Sequence, residues 1–134
     1  HLPPPVRLRR EFRLEKPVRR AVLYASALGL YKASINGRRV GEDYFTPGWT
    51  DYKKRVYYNT YDVTDMVRQG DNAIAATLAD GWYCGYVAWG RIRNRFGKNP
   101  RLMMQLNVQY EDGQTCVIAT DETWRAATGL RGAV

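Results

Sequence analysis

Short segments of alternating polarity, separated by turn signals, restrict the fold of this chain more than any other feature. Between positions 102 and 111, the apolar residues Met104, Leu106, Val108 and Tyr110 alternate with Gln or Asn. This two-residue period is typical of a strand in an antiparallel sheet that buries one face. No long segment has apolar residues at helical spacing, so the chain is predicted to be all-β.

Two dipeptides predict tight hairpins. Asn36-Gly37 lies between a predicted strand at 30–35 and a short return strand at 38–40. Asn and Gly tolerate the two positive φ angles that a type I′ turn requires. Asp112-Gly113 lies in the same way between predicted strands at 102–111 and 115–120.

The remaining β-rich segments predict a sandwich or a barrel. They lie at 8–14, 21–26, 56–61 and 72–78. Thr64 or Asp65 is expected to cap one helical turn that ends before Gly70. Strands that recur about every ten residues between turn signals are typical of a β-sandwich or barrel.

Length and composition exclude several protein classes. The 134 residues suffice for one domain, and 45% apolar with 25% charged residues is ordinary for a globular protein. No apolar run approaches the roughly 20 residues of a membrane-spanning helix, so no membrane partner is expected. The start, His1-Leu2-Pro3-Pro4-Pro5, has no apolar targeting segment and resembles a linker.

The residues for catalysis are scarce. His1 is the one histidine, which excludes a Ser-His-Asp or Cys-His arrangement. Cys84 and Cys116 with that histidine fall short of the four ligands of a zinc site. Both cysteines are expected to be free and mostly buried, and a disulfide between them is left as the alternative. No catalytic residue is predicted, since the carboxylates lie mostly at turns or cap-like positions.

Aromatic residues are the most informative group for function. There are four Trp, ten Tyr and three Phe, and two clusters stand out in long connections. Aromatic faces suit the apolar face of a sugar ring, while Asp, Asn and Arg beside them pair with hydroxyls. The residues predicted to form such a surface, facing a sugar or a neighbouring domain, are Trp49, Asp80, Trp82, Tyr83 and Trp89. The alternative is that these residues are core or interface.

Oxygen ligands near the same clusters suggest a calcium site. Asp43, Asp80 and Asn94 offer the hard oxygen ligands that calcium takes. They do not form the dense alternating loop of ligands that makes a calcium-binding motif specific. Whether calcium binds is therefore left open, and no other cofactor is expected.

The net charge of +8 raises the question of a polyanionic partner. Arginines crowd the first 20 residues and the stretch from Arg91 to Arg101. Arginine with exposed aromatics is suited to single-stranded nucleic acid, but equally to carboxylates on a neighbouring domain. Neither an RNA-binding sheet signature nor a helix-turn-helix pattern is present, so a docking surface is favoured and no nucleic-acid partner is expected.

Several motifs in order resemble one known family. They are Ala25-Ser26-Ala27-Leu28-Gly29-Leu30-Tyr31, Ile35-Asn36-Gly37-Arg38-Arg39-Val40-Gly41, Phe45-Thr46-Pro47-Gly48-Trp49-Thr50-Asp51-Tyr52, Val56-Tyr57-Tyr58-Asn59-Thr60-Tyr61-Asp62-Val63-Thr64-Asp65, Leu78-Ala79-Asp80-Gly81-Trp82-Tyr83 and Asp121-Glu122-Thr123-Trp124-Arg125-Ala126. Together they resemble the N-terminal domain of bacterial α-L-rhamnosidases, glycoside hydrolase family 78. The resemblance spans about residues 19 to 127. One departure is Cys84, where relatives usually carry an arginine.

The resemblance implies a fold, a parent enzyme and a division of labour. It implies a jelly-roll β-sandwich similar to galactose-binding domains over 19–128, with a linker and edge strand at 1–18 and a tail at 129–134 leading to the next domain. The parent would release terminal L-rhamnose with inversion, on a separate (α/α)6 barrel, so this fragment alone is expected to be inactive. Some relatives bind L-rhamnose through calcium. Sugar binding and bracing of the barrel are the two roles it leaves open.

Overall fold

Two antiparallel sheets make up the molecule. The computed structural model describes residues 4–87 and 92–128. Within these residues the strands and the one α-helix are β1 Val6–Leu14, β2 Val18–Leu28, β3 Leu30–Ile35, β4 Arg38–Arg39, β5 Tyr58–Asp62, β6 Gly70–Ala79, α1 Gly81–Cys84, β7 Arg101–Tyr110, β8 Thr115–Ala119 and β9 Arg125–Thr128. The first sheet has the order β4-β3-β6-β1-β9, and the second has the order β5-β2-β7-β8.

The predicted hairpins are present. Asn36 and Gly37 have φ angles of 51° and 79° and join β3 to β4. Gly113 has a φ of 86° between β7 and β8, where the Asp112 carboxylate accepts a hydrogen bond from the Gln114 amide at 2.9 Å. Local turn chemistry therefore sets the register of both strand pairs, as the sequence predicts.

Gly29 forms the corner at which the chain passes from the second sheet to the first. It separates β2 from β3 and has a φ of 131°, in the region that favours glycine. A Cβ at this position would overlap the carbonyl oxygen of Ala79 and lie 3.3 Å from the Cβ of Pro100. The close approach brings the end of β6, which leads into the functional site, against this corner.

The core lies between the two sheets. Its fully buried side chains come from alternate positions of strands in both layers, among them Leu14, Leu23, Ile35, Ile74 and Leu106, each at most 1% exposed. Side chains of two facing sheets that interdigitate in this way define a β-sandwich. The predicted all-β jelly-roll sandwich is confirmed.

Three local predictions differ from the structure. The first strand is not an edge strand, because β9 pairs with β1 on the side opposite to β6. The strand predicted at 56–61 is observed at Tyr58–Asp62. Neither Thr64 nor Asp65 caps the 3-10 turn Thr64–Met66; instead, the Asp62 carboxylate accepts hydrogen bonds from the backbone and hydroxyl of Thr64. These bonds lower the pKa of Asp62.

Both cysteines in the described chain are free thiols. Cys84 is buried in α1 and Cys116 is half-buried in β8. No helix in the described part of the chain has the length and apolar character required to span a bilayer.

Candidate functional site

One end of the sandwich carries three segments that meet around aromatic side chains. They are the connection from β4 to β5, the short helix α1, and the chain from 92 to 100 that leads into β7. The first segment is anchored by Thr46, which is buried and bridges to Tyr31 of β3. The Tyr31 amide donates to the Thr46 carbonyl at 3.0 Å, and the Thr46 hydroxyl donates to the Tyr31 carbonyl at 2.9 Å.

Phe45, Trp49 and Trp82 form an exposed surface that we call the aromatic ledge. The ring centroids of Trp49 and Trp82 are 6.3 Å apart with an angle of 23° between the planes, and Phe45 lies 6.0 Å from Trp82. Phe45 is 68% exposed and Trp49 is 57% exposed. Trp82, on α1, is half-buried and links the other two rings. The ledge therefore combines residues from two segments that are far apart in the sequence.

Tyr52 holds these segments together. It is 9% exposed, and its ring packs edge-on against Tyr83 of α1 and Phe96, with centroid distances of 5.3 Å and 5.2 Å. Burial raises the pKa of Tyr52. A Cβ at Gly97 would overlap the Tyr83 hydroxyl, so this glycine allows the chain to pass close to the tyrosine. All three segments are thus fixed by packing around one buried ring.

Charged groups lie next to the rings. The Asp80 carboxylate is 2.5 Å from a guanidinium nitrogen of Arg93, and the two side chains are 18% and 26% exposed. The Arg93 guanidinium carbon also lies 5.5 Å from the centre of the Tyr86 ring. Arg93 Nε is buried and has no hydrogen-bond partner among the described residues. This partly buried pair offers both a donor and an acceptor of hydrogen bonds beside the ledge.

Cys84 is a buried thiol whose charge state is influenced by this pair. Burial, with a further contribution from the Asp80 carboxylate, raises the pKa of Cys84 to about 11. The neutral thiol is therefore the form present near pH 7, so Cys84 lacks the charge that an arginine at this position would carry.

The predicted calcium ligands occupy different surroundings. Asp80 already has a cationic partner in Arg93 at its Oδ2 atom, so a calcium ion bound by Asp80 would lie beside that positive charge. Asp43 is exposed, and its carbonyl oxygen accepts a hydrogen bond from Arg39 at 2.5 Å. Asn94 is exposed with a φ of 57°, and its backbone N–H donates to the Cys84 carbonyl at 3.1 Å. In the described residues no three His, Cys, Asp or Glu side chains are grouped as metal ligands. The calcium site remains a prediction.

The predicted sugar-facing residues divide into three groups. Trp49 and Trp82 lie on the ledge, and Asp80 lies beside it. Tyr83 packs against Tyr52 and is half-buried. Trp89 lies outside the described residues.

Sequence reasoning leaves out two residues of this site. Phe45 belongs to the first aromatic cluster but not to the predicted site, and its φ of 58° sets it apart in the structure. The sequence signal for Phe45 is its place directly before Thr46-Pro47-Gly48-Trp49, within a dense aromatic run. Arg93 belongs to a basic stretch in the sequence, and its pairing with Asp80 depends on how the loop folds back.

A match to a protein-family model shows how this chain is related to known proteins. The model of the α-L-rhamnosidase N-terminal domain matches residues 16–132. The chain belongs to this family. The motifs that suggested the resemblance all lie within the matched range.

Relatives of this rhamnosidase N-terminal module are much longer than the chain itself. An α-L-rhamnosidase of Streptomyces avermitilis is 56% identical over 124 residues, which cover 91% of this chain and 12% of the relative. The crystal structure of the S. avermitilis enzyme complexed with L-rhamnose superimposes with a TM-score of 0.92 at 53% identity, covering 96% of this chain and 12% of that one. The crystal structure of native α-L-rhamnosidase from Aspergillus terreus superimposes with a TM-score of 0.93 at 42% identity, covering 96% of this chain and 15% of that one. The module thus corresponds to about an eighth of the S. avermitilis enzyme.

Proposed function

We propose that this module is a non-catalytic accessory domain that binds carbohydrate for a parent α-L-rhamnosidase. The parent would hydrolyse terminal α-L-rhamnosides with inversion on a separate (α/α)6 domain. The ligand of the module is a terminal L-rhamnose or a rhamnosylated glycan, bound at the aromatic ledge.

The observation that carries the proposal is the exposure of the ledge beside an ion pair. Phe45 and Trp49 are 68% and 57% exposed at the end of the sandwich, where loops from both sheets meet, and the half-buried Trp82 contacts both rings. The apolar face of a deoxy sugar stacks on such rings, and its hydroxyls pair with groups such as Asp80 and Arg93. Stacking contributes on the order of 1 kcal/mol per ring, so a Kd in the millimolar range is expected.

The backbone of Phe45 gives independent support. Its φ of 58° lies in the left-handed region, which is unusual for a bulky residue without a special role. Such conformations occur at functional sites where the surrounding structure holds them in place. Here the hydrogen bonds between Thr46 and Tyr31 hold the next residue in place, and the phenyl ring is 68% exposed.

Titration of the chain with L-rhamnose tests the proposal. In an NMR titration followed through the indole N–H signals, the signals of Trp49 and Trp82 are expected to shift, while that of Trp124 stays in place. Trp124 is the reference because its indole is not one of the ledge rings and donates instead to the Ala119 carbonyl at 3.1 Å. No shift of the ledge signals at saturating sugar would remove the sugar-binding role.

The same titration tests the calcium prediction. It is run once with calcium and once with a chelator. If Asp80 binds the ion, its pairing with Arg93 changes, so Arg93 side-chain signals are expected to move on adding calcium alone. Equal affinity for L-rhamnose with calcium and with the chelator would exclude calcium from sugar recognition and leave recognition to the ledge.

A second candidate function, bracing of another domain of the parent, is favoured by the outer face of the second sheet. This face exposes apolar side chains that no described segment covers, namely Tyr24, Tyr58, Met103 and Val117 at 37%, 69%, 65% and 58% exposure. Partner surfaces are enriched in tyrosine and methionine. Removal of the module from the parent enzyme would then lower the melting temperature of the remainder. Unchanged melting and turnover would count against bracing.

A further inference from the structure

The outer face of the first sheet carries a cluster of cations. Two rows of side chains cross the sheet here, with partners set by the strand register. The first row places Lys32, Thr77, Arg7 and Ala127 side by side, and the second places Arg39, Ser34, Ala75, Arg9 and Arg125 side by side. None of these nine described positions is acidic. Arg39 donates a hydrogen bond to the Asp43 carbonyl and lies against the Tyr44 ring. We call the other four basic residues of these rows the cation track: Arg7, Arg9, Lys32 and Arg125.

The arrangement of the cation track is unfavourable in the isolated module. Arg9 and Arg125 are directly opposite each other on β1 and β9, and like charges in that position destabilise a sheet. Glu11, the next outward residue of β1, offsets this charge in part through an ion pair of 2.8 Å with Arg9. Glu11 is 75% exposed, so solvent screens this pair. The contact between Arg9 and Arg125 therefore keeps an excess of positive charge that an anionic ligand would neutralise.

The floor between the cations is made of small residues. Ala75, Thr77, Ser34 and Ala127 separate the basic side chains along the two rows. Cores of protein–protein interfaces are enriched in aromatic residues and arginine and depleted in Ala, Ser and Lys, so the floor of the track, unlike its arginines, differs from a protein-binding surface. Single-stranded nucleic acid binds on aromatic side chains, and these rows contain none. A chain that lies flat and carries carboxylates fits both the charge and the shape.

We propose that the cation track binds a linear polysaccharide with carboxylate groups, a polyuronate, on the first sheet. Arg9 and Arg125 pair with carboxylates through their planar guanidinium groups, and Arg7 and Lys32 extend the positive charge across the sheet. The proposal adds a second glycan surface to the module. It does not depend on rhamnose binding at the ledge, because the two surfaces share no residue.

Affinity electrophoresis through gels that contain polygalacturonate tests the proposal, with fully methyl-esterified polygalacturonate as the uncharged counterpart. We expect retardation in the charged gel only, and loss of retardation as salt is added. The double variant Lys32→Gln/Arg125→Gln removes two exposed cations and is expected to weaken binding about tenfold, if each exposed ion pair contributes within its usual range. The matched control is Arg19→Gln/Arg20→Gln, which makes the same change in net charge on β2 of the other sheet.

The outcomes separate a specific site from general basicity. Equal weakening by both double variants, no retardation of the unmodified chain, or tighter binding of a single-stranded oligonucleotide would overturn the proposal. The Lys32→Gln/Arg125→Gln variant is expected to melt no lower than the unmodified chain, because the change relieves the contact between Arg9 and Arg125. If that variant fails to fold, Lys32→Gln alone carries the test. Failure of rhamnose binding at the ledge would leave these outcomes unaffected.

Discussion

Gly29→Ala is expected to lower the free energy of unfolding by about 2–6 kcal/mol. Two effects add. The φ of 131° is a conformation that an alanine adopts only with strain, and the new Cβ overlaps the Ala79 carbonyl oxygen. Neither the carbonyl, which is backbone, nor the nearby ring of Pro100 moves without shifting the corner between the two sheets. In a domain of this size 1 kcal/mol corresponds to about 3–5 °C, so the melting temperature should fall by roughly 6–30 °C.

Gly37→Ala is the matched control for this prediction. It adds the same methyl group at another positive φ, 79°, but no heavy atom lies within 4 Å of the new Cβ. Strain alone then remains, so the loss should be about 1 kcal/mol. Thermal unfolding followed by circular dichroism measures both variants. Equal losses at the two positions would show that the contact with Ala79 has no energetic weight.

Trp49→Ala is expected to raise the Kd for L-rhamnose by about five- to tenfold, since each stacked ring contributes roughly 1 kcal/mol. Trp49 is 57% exposed, so its removal leaves the core of the sandwich in place. Trp82→Ala should have a larger effect, because Trp82 contacts both Phe45 and Trp49 and its loss separates the ledge into single rings. Isothermal titration calorimetry or the NMR titration measures both.

Tyr58→Ala is the control for the ledge variants. Tyr58 is 69% exposed and lies on β5, on the outer face of the second sheet. Its removal deletes an exposed aromatic ring of similar size without touching the ledge. Rhamnose binding should stay unchanged in this variant. A loss equal to that of Trp49→Ala would place the sugar on the second sheet and reject the ledge.

Much of the fold follows from local sequence signals. Asn36-Gly37 and Asp112-Gly113 define two hairpins, because their backbone preferences act within four residues. The alternation along β7 identifies its buried face for the same reason. The interior position of β1 was not predictable in this way, because it depends on β9, a strand of four exposed residues more than 100 positions further along the chain.

The site was predictable in kind but not in its arrangement. The density of aromatic residues around Trp49 and Trp82 shows in the sequence, and both lie on the ledge. The sequence does not show which of these rings are exposed and which are buried, because Tyr52 and Trp49 are three residues apart and only Tyr52 is buried. That difference arises from contacts with Tyr83 and Phe96, on segments far along the chain. Pairing of Arg93 with Asp80 depends on the same folding back of the loop.

The β4–β5 connection is anchored at two points, by the hydrogen bonds of Thr46 to Tyr31 of β3 and by the packing of the Tyr52 ring, and this affects how it binds a ligand. A segment fixed at two points on either side of Trp49 has little freedom left to lose, so association should cost little in conformational entropy. The module would then act as a rigid template, with the same indole orientations before and after a sugar arrives.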